Sequence, residues 1–151
     1  MKKGLIIVLI VILCIICLGL VGGIIAFAIT GNAASAKEYK IGYETIASVK
    51  EIVGKRRVTS VSTKNTNGVI TKKIEYKSDS VQEDLLKYIN YLRNEGGFAL
   101  KKDMDLTKAT STVELGKSSL KDGKLIMLTI DYNVYGYTII MQLGEGTLYF
   151  N

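Results

Sequence analysis

An unbroken apolar run over residues 5–29, introduced by Lys2 and Lys3 and free of charge throughout, constrains this chain more than any other feature. As a helix it would be about 38 Å long, enough to cross a hydrocarbon core of about 30 Å with some tilt. Residues 1–29 are therefore read as an N-terminal transmembrane anchor, 30–42 as a polar linker and 43–151 as one extracytoplasmic domain. The competing reading is a cleaved signal peptide. Ala34-Ser35-Ala36 and Ala26-Phe27-Ala28 both have the small-x-small form of a cleavage site, but the run is longer than such peptides use. Leu13 before Cys14 and Ile16 before Cys17 do not suit a lipoprotein signal.

The two lysines at the start favour a cytoplasmic N-terminus and a cell-membrane, single-pass protein with its domain outside, against a weaker bias from Lys37 and Lys40. Gly19, Gly22, Gly23 and Ala26 form a small-residue stripe. Such stripes let helices approach closely in lipid, so this one offers a contact for a homodimer.

About 120 residues remain beyond the run, which suits one core and one domain. Without Lys2 and Lys3 the chain has 18 basic and 14 acidic residues, scattered rather than grouped. That charge allows weak attraction to anionic headgroups or wall polymers and does not form a nucleic-acid footprint. Both cysteines lie in the apolar run, so the domain has neither disulfide nor thiol nucleophile, and the chain has no His, Trp or Pro. The usual general base and the commonest zinc ligand are missing.

Ile46, Val49 and Val53 have helical spacing before Gly54 and suggest a short helix over 43–53. Val58 to Thr63, the Asn65-Thr66-Asn67-Gly68 turn and the shared face of Ile70, Ile74 and Tyr76 predict a hairpin, with Lys72 interrupting its apolar side. Ser80 and Glu83 match a capping box ahead of a helix whose face is Val81, Leu85, Ile89 and Leu92, ended by Gly96 and Gly97. Apolar strands around 112–115, 125–130 and 137–143 follow, with turns at 121–124 and 133–136. The expected fold class is α+β: a two-layer sandwich in which one main helix covers an antiparallel sheet built as hairpin, helix and meander.

Ser118-Ser119-Leu120-Lys121 fits the S-x-x-K pattern of serine acyl-transfer enzymes, but it sits at a predicted turn without partner motifs. Asp103, Asp105, Thr107 and Glu114 have calcium-loop spacing, yet Lys108 occupies the position that needs glycine. Glu83 and Asp84 stand in the first turn of a helix, where the dipole favours acids. Gly144-Glu145-Gly146 has no following helix to make a phosphate loop. No catalytic, cofactor-binding or metal site is expected. Tyr132, Tyr135 and Tyr137 cluster at one turn and form a candidate recognition patch, since tyrosine combines an apolar ring with a polar tip.

Ile74-Glu75-Tyr76-Lys77-Ser78, the run from Asp84 to Leu92, Gly97-Phe98 and Gly144-Glu145-Gly146-Thr147-Leu148 follow one another over 70–148. In this order they resemble uncharacterised membrane-anchored or lipoprotein-like proteins of Gram-positive bacteria. The resemblance implies a place in the cell envelope and brings no site residues with it. The expected function is a non-catalytic binding or accessory domain whose partners are the bilayer and another envelope or secreted protein. The alternatives are a domain released from its signal peptide and a small wall-modifying hydrolase using carboxylates.

Overall fold

The computed structural model describes residues 32–121 and 123–148. Among them no helix is long and apolar enough to cross a membrane. The transmembrane helix expected over 1–29, with Gly19, Gly22, Gly23 and Ala26, lies outside the described residues, and what those residues form is a β-rich domain.

Strands β1 (Glu38–Ile41) and β2 (Glu44–Ala47) pair with each other alone, and helix α1 (Val49–Ile52) follows. Strands β3 (Arg57–Thr66) and β4 (Val69–Lys77), helix α2 (Val81–Asn94), and strands β5 (Ala99–Leu100), β6 (Ser111–Ser118), β7 (Lys124–Asn133) and β8 (Gly136–Glu145) complete the domain. The main sheet is antiparallel, six-stranded and ordered β3-β4-β8-β7-β6-β5. The expected α+β sandwich with one helix as cover is therefore corrected: the protein is mostly β, a six-stranded sheet plus a hairpin sheet, with few helices.

The physical reason lies in residues 38–53. Tyr39 and Ile41 alternate with exposed Glu38 and Lys40, the period of a half-buried strand. Ile46 belongs to β2 and Val49 to α1, so their helical spacing with Val53 is coincidental. Gly42 turns the hairpin with φ of +60°, and a Cβ there would come within 2.8 Å of Leu143 Cδ2. Glycine adopts that conformation without strain and leaves the Leu143 side chain in place.

The longer hairpin matches expectation. Asn67 and Gly68 both have positive φ, as a two-residue turn with right-handed strand twist requires. Helix α2 also stands where its spacing places it, but its capping box does not form. The Ser80 side chain makes no capping bond, and Ser78 Oγ accepts from the Ser80 amide at 3.1 Å instead.

One face of the sheet holds the core. Register aligns Ile74, Ile139, Ile130 and Val113 in one row across β4, β8, β7 and β6, and Lys72, Met141, Leu128 and Leu115 in the next. Against these rows pack Val81, Leu85, Tyr88, Ile89 and Leu92 of α2 together with Tyr39, Ile41, Ile46 and Val49. Lys72 interrupts the apolar side as expected. Its ammonium reaches past the core to donate to Lys40 O at 3.1 Å, and burial lowers its pKa.

Glu44 fixes the β6–β7 connection to the small hairpin. Only 2% exposed, it accepts from Ser119 Oγ at 2.5 Å and from the Leu120 amide at 2.7 Å. Replacing it by alanine strands two donors that the carboxylate satisfied. Glu44→Ala is expected to cost about 2–3 kcal/mol, read as a lower urea midpoint with an unchanged slope.

Candidate functional site

Alternation along the central strands sends a second set of side chains to the opposite face of the sheet. There Leu125, Met127 and Ile140 are only half-buried, and Gln142, Asp131 and Thr112 are exposed. Antiparallel sheets commonly keep one face on the core and one solvated. Two ion pairs lie on this face, Lys73 with Glu75 at 2.7 Å and Lys101 with Glu114 at 2.9 Å.

Towards the β7–β8 turn the open face deepens into a groove of about 280 Å³. Register sets Glu75, Thr138, Asp131 and Thr112 in one row, and Lys77, Gly136 and Asn133 in the next. Thr112 donates to Asp131 at 2.6 Å. The turn is built by Asn133, whose Oδ1 accepts from the Tyr135 amide at 2.8 Å. On its other side lies a depression of about 410 Å³ bounded by residues 79–83 and Lys108. The turn thus stands between two hollows.

The three tyrosines of the candidate patch separate here. Tyr132 and Tyr137 are 5% and 3% exposed, whereas Tyr135 is 78% exposed. Tyr132 donates to Asp105 O at 2.9 Å, and Tyr137 stacks on Tyr76 with ring centroids 5.2 Å apart. Tyr135 alone of the three remains available to a partner.

Asp84 is the most heavily engaged acid. It is 1% exposed and takes a two-point contact from Arg56, Nε to Oδ2 at 2.7 Å and Nη2 to Oδ1 at 2.5 Å. Ser78 Oγ donates to it at 2.6 Å and Tyr137 at 3.4 Å. The hydrogen bond to Asp84 raises the Arg56 pKa. Glu83, its sequence neighbour, is exposed, so the two acids do not face a common cleft. This network ties the segment before β3 to α2 and the sheet.

The remaining sequence motifs are also dispersed. Lys121 lies 4.3 Å from the centroid of the Tyr43 ring, and the hydroxyl beside a carboxylate belongs to Ser119, not Ser118. Asp105 accepts from the Thr107 hydroxyl at 2.6 Å and amide at 3.0 Å, bonds that lower its pKa, while Glu114 is paired with Lys101. Among the described residues no cluster of three His, Cys, Asp or Glu could hold a metal ion. Spacing did not reveal the groove, but period-2 alternation does: Tyr132 and Tyr137 continue the buried series of Ile130 and Ile139, and Asp131 and Thr138 the open one.

No protein-family model matches this chain, and no curated protein or solved structure is significantly similar to it.

Proposed function

We propose that this chain is a non-catalytic binding module held at the outer surface of the cell membrane by its N-terminal apolar segment. Its partner is another envelope or secreted protein, contacted through the open face of the sheet. The observation that carries this reading is the one-sided construction of the domain. The hairpin and α2 cover one face, and the other displays half-buried Leu125, Met127 and Ile140 among charged and hydroxyl side chains. Mixed surfaces of this kind suit recognition, in which a few apolar contacts are ringed by polar ones. Among the described residues the two fully buried acids, Asp84 and Glu44, are bound up in holding the fold, which supports the non-catalytic part of the reading.

The location is tested by a C-terminal tag on the full chain and protease added to intact cells. The tag is expected to be lost while the protein fractionates with membranes. A protected tag would place the domain on the cytoplasmic side. A shortened protein in the medium would show a cleaved signal peptide.

A further inference from the structure

The groove beside the β7–β8 turn has properties that the general reading above does not use. In the row Lys77, Gly136, Asn133 the middle position carries no side chain, and the floor of the groove is bare backbone. A Cβ on Gly136 would stand 2.0 Å from Tyr76 O, so only glycine allows β4 and β8 to approach this closely beneath the groove. At the rim stands Tyr135, whose side chain makes no hydrogen bond or ring contact with the described residues. An isolated exposed ring at a rigid turn is a flat apolar platform at the edge of a polar hollow.

The groups facing that hollow define the ligand. Asp131 offers acceptor lone pairs, Lys77 a donor, Thr138 a hydroxyl that does both, and Asn133 a side-chain N–H₂ left over from its turn bond. Glu75 is neutralised by Lys73, and Asp131 and Lys77 balance each other, so the hollow has no net charge that would select an ion. A peptide's apolar side chains would find one ring and no pocket. The neutral ligand with hydroxyls on its edge and C–H groups on its face is a pyranose. A groove of about 280 Å³ accommodates one such unit and is open enough for a chain to run through. We propose that this groove binds one ring of a neutral saccharide chain, stacked on Tyr135 and hydrogen-bonded by Lys77, Asp131 and Asn133. The inference rests on the outward-facing reading only for access to such a chain; the binding itself is a property of the groove.

The test uses the full chain in a sugar-free detergent, with soluble tetramers of N-acetylglucosamine, glucose and mannose as probes. Saturation-transfer NMR and calorimetric titration read the binding. At least one tetramer is expected to bind saturably, with transfer strongest to the C–H protons of one ring face. Tyr135→Ala should weaken it about tenfold, Tyr135→Phe should retain it, and Leu86→Ala, on the exposed side of α2, should leave it unchanged. No saturable binding by any of the three, or undiminished binding by Tyr135→Ala, overturns the proposal. The two readings fail separately. A protected tag on cells removes the outward location while sugar binding in detergent stands, and a cleaved tag without sugar binding removes the saccharide alone.

Discussion

Asp84→Ala is expected to destabilise the domain by about 3–5 kcal/mol, the usual cost of breaking a buried ion pair from one side. The carboxylate is almost wholly buried and receives Arg56, Ser78 and Tyr137. Removing it leaves Ser78 and Tyr137 without an acceptor and Arg56 without its counter-charge. Arg56 keeps 28% of its side chain exposed and can partly rehydrate, so the lower end of the range is expected. Arg56→Ala is the more informative single variant, because it leaves the carboxylate buried with only hydroxyl donors. The double variant should lie well short of the sum of the two, as expected for groups within one network. Urea unfolding followed by circular dichroism measures all three. Additive effects would mean that Asp84 and Arg56 act independently.

A second large effect is expected in alkali. Tyr39, Tyr76, Tyr88 and Tyr137 are buried, and desolvation is the leading cause that raises the pKa of each; for Tyr39 the value reaches about 12. Hydrogen bonds that the Tyr39 oxygen accepts from Tyr76 and from the Val49 amide partly offset the effect at Tyr39. In the unfolded chain these hydroxyls ionise near the ordinary value of about 10. The unfolded state thus releases its protons first as pH rises. Stability is intact below about pH 10 and falls above it, by about 1.4 kcal/mol per pH unit for each tyrosine still protonated in the fold. For Tyr39 the loss ends near pH 12. Urea midpoints measured from about pH 8 to about pH 12 should be flat at first and then drop steeply. Tyr39→Phe should lower the plateau, because the Val49 amide loses its acceptor, and should make the drop shallower. A midpoint unchanged across that range contradicts the buried, protonated cluster.

These tyrosines also show what the sequence made legible. Helix α2 was readable because Val81, Leu85, Ile89 and Leu92 recur at helical spacing, and β7 and β8 because their apolar runs are long. The Asn67-Gly68 turn was readable from its chemistry alone. Strand β1 was not, since Tyr39 and Ile41 are two buried positions in a segment otherwise polar enough to pass for a linker. The Arg56–Asp84 pair joins residues 28 apart, and no local pattern announces such a contact. Asp84 misleads in a second way, because the helix dipole already accounts for an acid at that position. Tyr132, Tyr135 and Tyr137 looked alike when grouped by nearness in sequence. Their alternation with Ile130 and Ile139 separates them into two core residues and one exposed turn residue. The α+β assignment failed for a related reason: a short hairpin sheet shares with α2 the work of covering the core.

The claim at the centre of this account is that the open face of the sheet is the working surface. It is tested most directly by placing a photo-crosslinking amino acid at Gln142, in the middle of that face, and separately at Leu86, exposed on α2. Irradiated intact cells carrying the full chain should yield one discrete adduct from position 142 and none from position 86. Adducts from position 86 alone would put the working surface on the helix side and contradict the account.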